Sequence, residues 1–210
     1  MKNNDRPPTP NSHDAYARRI PPGSWKLGIG MSIVLVTSLH VLAAGAWRVT
    51  QGDISVKCPM TIGGSFDAKT SALSGMLTSS GATAIDGSLA VDLRMLDTGI
   101  ALRNNHMREN YLEVDKGAGF DKAVLSDIEL KGVNGDAPEG KGSFTGMLTL
   151  HGVKKSVGGP IELRKAGAGL RVKASFPVNL PDYNIPEPRY LGVGVKNTVQ
   201  VEVTFTTTPS

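Results

Sequence analysis

The side chains best able to do chemistry in this chain are few and widely spaced. After residue 46 the sequence holds two histidines, His106 and His151, and one cysteine, Cys58. Neither histidine belongs to an H-x-x-x-H or C-x-x-C pattern, so the spacing predicts no metal site. No serine lies in a nucleophile elbow. We therefore expect no catalytic residue, no metal and no cofactor. A cofactor-free enzyme is the less favoured alternative. It would require the two histidines and some of the scattered carboxylates to come together in the folded chain.

Cys58 and His151 are better explained by structural roles. Cys58 has no second cysteine with which to form an internal disulfide, so the domain must be held together by packing alone. We interpret it as a small buried thiol in a strand. His151 precedes Gly152 at the end of a predicted strand, where we expect its ring to hydrogen-bond a turn.

One helical segment interrupts a chain that otherwise alternates like a β-sheet. Residues 96–114 place four apolar side chains on one helical face, with Asp97 or Thr98 as the candidate N-cap: Ile100, Met107, Tyr111 and Val114. The other faces are polar, and His106 lies off the apolar face. Arg103 and Arg108 either meet a polar group of a ligand or are solvated or paired with nearby carboxylates. We expect this helix to cover a sheet edge or the mouth of a barrel, with its apolar face turned inward.

The rest of the body alternates between apolar and polar residues, as strands with one wet face do. The predicted inward sets are Leu89, Val91, Leu93 and Met95; Val124, Ile128 and Leu130; Phe144, Leu148 and Leu150; Val172, Ala174, Phe176 and Val178; and Val199, Val201, Val203 and Phe205. Further strands are predicted over 48–56, 61–68, 72–79 and 156–164, separated by glycine-rich turns. Closing about eight such strands into an up-and-down antiparallel barrel would leave no open sheet edge. The predicted fold is therefore an all-β barrel with one short helix at its rim.

The first 46 residues differ sharply in composition from the body. Residues 1–26 are polar, rich in proline and carry five basic and two acidic residues, and we expect them to be disordered. Residues 27–46 are apolar and end in Ala44-Gly45-Ala46, which favours a signal peptide cleaved after Ala46 over a membrane anchor. Either interpretation places the body, residues 47–210, outside the cytoplasm. That body has a net charge of only plus one, so no nucleic-acid partner is expected.

Three stretches in register resemble the YceI-like family. They are LDTGIALRNNHMRENYLEV from Leu96, GSFTGMLTLHGVKKSV from Gly142, and FPVNLPDYNIPEPRYLGVGVKNTVQVEVTF from Phe176. The likeness spans roughly 47–205, and the chain departs from the family's usual opening segment at 47–55. The resemblance implies a lipocalin-like antiparallel barrel around a long apolar cavity. It also implies a periplasmic carrier that binds an isoprenoid-type lipid, such as a polyprenol or a quinone tail.

The residues themselves support an unfilled apolar interior. The inward faces carry mostly Leu, Val, Ile and Met with few aromatics, and modest side chains can leave room in an eight-stranded barrel. The competing interpretation is an interior filled by packed side chains. Fourteen residues are predicted to bind the lipid: Leu89, Val91, Leu93, Met95, Leu102, Met107, Tyr111, Phe120, Phe144, Leu148, Val172, Phe176, Val178 and Val201. The inner-membrane surface or a membrane enzyme is a further candidate partner. The alternative function is an accessory envelope protein that docks through its surface at 186–188 and 190–193, unless that segment instead covers the mouth.

Overall fold

A computed structural model describes residues 45–210, except 82, 134–138 and 191. The predicted polar leader, residues 1–26, lies outside the described residues, as does nearly all of the apolar segment 27–46. Within the described part of the chain, no helix is both long enough and apolar enough to cross a bilayer.

Strands make up most of the body. They are β1 Ala46–Pro59, β2 Ser65–Thr70, β3 Leu73–Ser79, β4 Ala84–Asp92, β5 Lys122–Lys131, β6 Gly140–Leu150, β7 Val153–Ala166, β8 Gly169–Asn179, β9 Arg189–Tyr190, β10 Val193–Gly194 and β11 Thr198–Pro209. The helix α1, Ala101–His106, continues into a π-helical turn, Met107–Tyr111. Single 3₁₀ turns occur at Leu93–Met95, Val114–Lys116 and Leu180–Tyr183.

The strands close into an eight-stranded antiparallel barrel, as predicted. The sheet order is β11-β8-β7-β6-β5-β4-β3-β1-β2, and the ring closes because β11 also pairs with β1. β1 pairs with β3 near its start and with β2 near its end, so β2 and β3 together occupy one position in the wall. β9 and β10 form a separate small hairpin.

The tight turn between β6 and β7 shows how local sequence sets register. Leu150 pairs with Val153, which leaves His151 and Gly152 as the two turn residues. Both have positive φ, 51° and 74°, as a type I′ hairpin turn requires. Glycine adopts this conformation easily and histidine does so less readily, so neighbouring contacts must hold His151 in place.

The predicted inward face of β5 is wrong at Val124. Asp127 has a φ of 51°, and the register with both neighbouring strands shifts between Ser126 and Glu129. A β-bulge inserts one extra residue and reverses which face the following side chains occupy. The inward residues of β5 before the bulge are therefore Ala123 and Leu125, while Ile128 and Leu130 point inward as predicted.

The predicted run of inward residues on β4 also ends early. The strand stops at Asp92, whose carboxylate accepts a hydrogen bond from the Arg94 backbone N–H and starts a 3₁₀ turn. Side chains alternate between two faces only while the backbone is extended, so the alternation ends where the 3₁₀ turn begins. Leu93 remains buried at 5 % exposure, whereas Met95 is 59 % exposed and points out of the barrel.

The helix is shorter than predicted and begins without a capping side chain. Ile100 is its N-cap residue and has no capping side chain, so neither Asp97 nor Thr98 holds that position. The Asp97 carboxylate instead accepts from the Gly99 N–H at 2.8 Å and from the Asn104 side-chain amide at 2.6 Å. These contacts close the loop that leads into the helix, which explains why polar residues cluster there.

Candidate ligand-binding cavity

The barrel encloses an apolar cavity of about 470 Å³. Such a volume is typical of pockets that bind one small molecule. Ten of the fourteen predicted ligand-binding residues line it: Leu89, Val91, Leu93, Leu102, Met107, Tyr111, Leu148, Phe176, Val178 and Val201. Strand alternation brings seven of them together from four strands and one adjoining turn, and a helical face supplies Leu102, Met107 and Tyr111 at one end. Whether they bind a ligand remains a prediction.

A second apolar cavity of about 100 Å³ lies farther along the barrel interior. Phe144 and Val172, two more of the predicted residues, line this smaller space. Four side chains line both cavities and therefore form the partition between them: Leu89, Leu125, Phe176 and Val203. Phe176 also makes an edge-to-face contact with Phe144, with ring centroids 5.6 Å apart. Aromatic packing thus fills part of the interior and limits the depth of the large cavity.

The last two predicted residues do not line either of these cavities. Met95 is exposed because the strand ends before it. Phe120 packs edge-to-face on the ring of His151, with centroids 4.7 Å apart. Phe120 is an apolar residue in a loop, and its partner is distant in the chain, so sequence alone could not distinguish packing from cavity lining.

Several lining residues are not among the fourteen that the sequence predicts. Cys58 and Phe66 contribute from β1 and β2, and Ile185 contributes from the loop after the last 3₁₀ turn. Pro188 and Val193 belong to the β9–β10 region, which covers part of the mouth. The strands of the β9–β10 hairpin have two residues each, too few to show alternation. By contrast, the alternation of Ile54, Val56 and Cys58 in β1 could have predicted that these three side chains point inward.

The mouth of the cavity lies between the helical segment and the β9–β10 hairpin. Ile100, Leu102 and Val193 line the cavity yet are 49 %, 53 % and 37 % exposed, which places them at its opening. The hydroxyl of Tyr111 bridges the two elements: it accepts from the Arg189 N–H and donates to the Arg189 carbonyl, both at 3.1 Å. The predicted inward orientation of Ile100, Met107 and Tyr111 is confirmed.

The helical segment is also joined to the β2 wall. Lys69 and Asp97 exchange two backbone hydrogen bonds of 2.8 and 2.9 Å. Arg108 donates from Nη2 to the Leu96 carbonyl at 2.7 Å. The Asn104 amide and the Gly99 N–H hold the pKa of the Asp97 carboxyl below its ordinary value, because both stabilise the ionised form. The segment that borders the mouth is therefore a fixed part of the barrel.

Three basic side chains lie among the residues that line the cavity: Arg103, His106 and Arg189. The Arg103 guanidinium lies 4.0 Å above the centre of the Phe66 ring, a cation–π contact. Arg189 pairs with Glu187 at 2.8 Å, and that carboxylate raises the pKa of the guanidinium. His106 lies off the apolar face of the helix, as predicted, and nevertheless lines the cavity. No carboxylate occurs among the lining residues that the structure describes.

The Cys58 thiol lies in the cavity wall and is buried, as predicted. Burial raises its pKa to about 11, and the negative charge of Asp67 adds to that shift while Arg103 opposes it. A thiol with so high a pKa is almost wholly protonated near neutral pH, which argues against a nucleophilic role.

His151 joins three parts of the chain near the rim. Its Nδ1 lies 3.0 Å from the carbonyl of Tyr183, so this nitrogen donates, and its Nε2 lies 2.9 Å from Glu113 Oε2. The predicted hydrogen bond between His151 and a turn is thus present. Lys116 lies 2.7 Å from the same Glu113 oxygen. Mainly because of that hydrogen bond, with the contact to His151 adding to it, the pKa of the Glu113 carboxyl is below its ordinary value.

No group of three or more His, Cys, Asp or Glu side chains suited to a metal occurs in residues 45–210 where they are described. His106 lines the cavity, whereas His151 contacts Tyr183 and Glu113.

A closed antiparallel barrel of eight strands around an apolar cavity is the architecture of barrels wide enough to hold one small ligand. The chain belongs to the YceI-like family, since the YceI-like domain matches residues 47–207. A comparison with curated proteins finds no match. The fold is similar to that of a domain from Saccharophagus degradans described as a polyisoprenoid binding domain implicated in plant cell wall breakdown. That pair has a TM-score of 0.60 and 16 % identity over 79 % of this chain and 99 % of the other.

A second solved structure, Burkholderia cenocepacia BcnA, has a TM-score of 0.59 at 16 % identity. That comparison covers 74 % of this chain and 95 % of BcnA. At this level of identity both likenesses establish the fold, and the family membership supports apolar lipid binding.

Proposed function

We propose that this protein is a periplasmic carrier that holds the tail of an isoprenoid-type lipid, such as a polyprenol or a quinone, inside its barrel. The observation that carries the proposal is the apolar cavity of about 470 Å³, which opens between the helical segment and the β9–β10 hairpin. Each buried methylene contributes roughly 0.8 kcal/mol, so a five-carbon isoprene unit contributes about 3–4 kcal/mol. A few units offset the cost of ordering the chain without any catalytic group.

The first test is native mass spectrometry of the protein purified gently from its host. The proposal expects a discrete lipophilic mass that leaves the protein on unfolding. Protein that carries no lipid and also fails to take up polyprenols or quinones from detergent solution would rule the carrier function out.

A pair of matched substitutions locates the site. Leu93→Arg places a charge in the cavity wall and is expected to abolish lipid uptake, because an unpaired charge in an apolar pocket is very unfavourable. Met95→Arg makes the same change two residues away on the exposed surface and is expected to leave uptake unchanged. If Leu93→Arg does not fold, Ala68→Phe replaces it in the uptake test, because it narrows the cavity without adding charge. Normal uptake by a folded Leu93→Arg protein would move the site elsewhere.

The proposal includes contact of the mouth with a membrane surface, from which the lipid enters. Ile100, Leu102 and Val193 are exposed apolar residues at the opening, and Ile62 (67 % exposed) adjoins them because Thr61 and Gly194 exchange hydrogen bonds. Such a cluster of exposed apolar side chains marks a surface that meets another apolar phase.

Vesicle flotation tests this contact. The double variant Leu102→Ser and Val193→Ser is expected to bind phosphatidylcholine vesicles more weakly than the parent protein. Met76→Ser, at a residue that is 51 % exposed on β3, is the control and should not differ from the parent. Equal flotation of all three proteins would argue for loading without membrane contact.

A further inference from the structure

Left-handed backbone at residues other than glycine gathers at one place in the described chain. Of the four such residues found there, Glu113 (φ 50°), His151 (φ 51°) and Asn184 (φ 57°) lie in the three loops that meet at the His151 ring. Asparagine tolerates this conformation, whereas glutamate and histidine adopt it less readily. Such residues persist only where surrounding contacts hold them, and they cluster at switch regions. The clamp, formed by His151 with Glu113 and Tyr183, thus joins two strained residues directly to each other.

The His151 ring needs a proton on each nitrogen to make both of its contacts. Nδ1 faces the Tyr183 carbonyl at 3.0 Å, and Nε2 faces Glu113 Oε2 at 2.9 Å. A carbonyl and an ionised carboxylate can only accept, and a neutral imidazole has a single N–H. The Glu113 carboxyl does not supply the second proton near neutral pH, because hydrogen bonds, that from Lys116 foremost, hold its pKa below its ordinary value. The clamp is therefore complete only when the ring is positively charged.

Two charged groups act on this ring. Lys116 lies 2.7 Å from the same Glu113 oxygen, so one carboxylate is shared between two cations. Once the ring loses its proton, the lone pair of Nε2 faces that carboxylate, while Lys116 remains as the carboxylate's partner. Within the described residues, the other ionisable side chains of the adjoining segments form no hydrogen bond or ion pair with the ring: Asp115, Asp121, Lys154, Asp182 and Tyr183.

The loops that the clamp joins also supply residues of the cavity wall. Leu112 directly precedes Glu113, Ile185 lies two positions after Tyr183, and both Leu112 and Ile185 line the large cavity. The Tyr183 hydroxyl is buried and has no hydrogen-bond partner among the described residues. Opening of the clamp would relax strained backbone and let water reach this hydroxyl, and both changes favour the open arrangement.

We infer that the clamp is a proton-operated switch: the doubly protonated His151 ring holds the three loops together, and loss of the Nε2 proton to solvent releases the segment at Glu113. Histidine is the side chain whose charge ordinarily changes between pH 5 and 8. Because the charged ring makes the contact, the clamp is closed on the acid side of the histidine titration and opens as pH rises through it. Release loosens the wall at Leu112 and speeds the passage of a lipid. That last consequence alone rests on the proposed function.

Nitrogen NMR of the His151 ring tests the charge state without any lipid. The sample is the full chain in detergent solution with isotopically labelled histidine, and the loss of signals in His151→Asn assigns the ring. Both nitrogens are expected to carry a proton at about pH 6, and only Nδ1 at about pH 9, because the Tyr183 carbonyl selects that tautomer. A ring with a single proton at about pH 6, or a neutral ring protonated on Nε2, would overturn the inference.

Hydrogen exchange measures the release of the segment 107–116. After correction for the effect of pH on exchange chemistry, its protection is expected to fall about tenfold between about pH 6 and about pH 9, as the loss of one charge-assisted hydrogen bond predicts. The strand β11, Thr198–Pro209, is the internal control and should keep its protection. In Glu113→Gln the fall should vanish, because an amide accepts from the charged ring and donates to the neutral one. His151→Asn should show weak protection at both pH values.

Unchanged protection in the parent protein, or the same fall in Glu113→Gln, would overturn the switch. The consequence for the cavity is tested by the transfer of bound geranylgeraniol to phosphatidylcholine vesicles, which should be faster at about pH 9 in the parent and independent of pH in Glu113→Gln. Transfer at equal rates in the parent would show that the clamp does not gate the cavity. Failure of the folded parent to bind geranylgeraniol or a longer polyprenol at either pH would overturn the proposed function, whereas the NMR and exchange results decide the switch by themselves.

Discussion

His151 Nε2 lies 2.9 Å from the carboxylate of Glu113, a residue 38 positions earlier in the chain. The contact ties the β6–β7 turn to the segment that follows the helix, and the Nδ1 bond to the Tyr183 carbonyl adds the loop after β8. Three loops are thereby fixed on one imidazole ring that is 8 % exposed. This clamp, formed by His151 with Glu113 and Tyr183, joins three loops that no strand pairing connects.

Removing the imidazole should weaken the domain. Asparagine tolerates the positive φ of the turn, so His151→Asn does not strain the backbone. Any loss of stability in this variant therefore measures the contacts of the imidazole ring. We expect a decrease of about 1–3 kcal/mol in the free energy of unfolding, because the Tyr183 carbonyl and the Phe120 ring lose their partner. Urea denaturation measures this decrease. Unchanged stability would mean that water replaces the ring without cost.

Stability should fall in acid partly through Glu113. Its folded pKa lies below that of a glutamate in an unfolded chain, about 4.3. A lowered folded pKa stabilises the protein above the unfolded value, and that contribution is lost as pH falls through the folded pKa. Lys116→Gln removes the main cause, so the Glu113 pKa should rise toward its ordinary value in a carboxyl NMR titration. An unshifted Glu113 pKa in Lys116→Gln would assign the effect to another neighbour.

Cys58 should be almost inert toward thiol reagents in the folded protein. Its pKa of about 11 leaves little thiolate at pH 7.5, and the side chain is buried in the cavity wall. Labelling with a maleimide is expected to proceed at least a hundredfold more slowly than in urea, by mass spectrometry over time. Reaction at the unfolded rate would show that this wall opens freely. Because Cys58 lines the cavity, a bound lipid should slow labelling further.

Phe176 should limit how deep a lipid tail can reach. It stands between the cavities of about 470 and 100 Å³ and packs on Phe144. Phe176→Ala is expected to join the two spaces and to shift uptake toward longer prenyl chains, at a cost of about 3–5 kcal/mol in unfolding free energy. Competition between polyprenols of different length measures the preference. Phe205→Ala enlarges the small cavity without touching the partition and should keep the parental preference; a shared preference in all three proteins would contradict this role.

Much of the barrel could be predicted from the sequence because side-chain direction in a strand follows from local backbone geometry. The inward faces of β8 and β11 were predicted correctly, residue by residue, from alternation alone. The same reasoning failed at Asp127 and after Asp92, where a bulge and a 3₁₀ turn break the two-residue period. The bulge involves the register with both neighbouring strands. The 3₁₀ turn is capped locally by Asp92, but its Leu93 N–H also donates to the distant Asp121 carbonyl at 2.9 Å, so the alternation of apolar residues predicts neither break.

The sequence by itself determined the fold class, the inner faces of most strands and the position of one helix whose apolar side faces the barrel. Only the tertiary structure decided that the interior is divided at Phe176, that Arg103 stacks on Phe66 at the mouth and that Tyr111 joins the helical segment to Arg189, 78 residues away. The physical reason is the distance along the chain between the residues that interact. Alternation reflects the covalent geometry of neighbouring residues, whereas a cavity exists only where side chains from distant strands fail to fill the space between them.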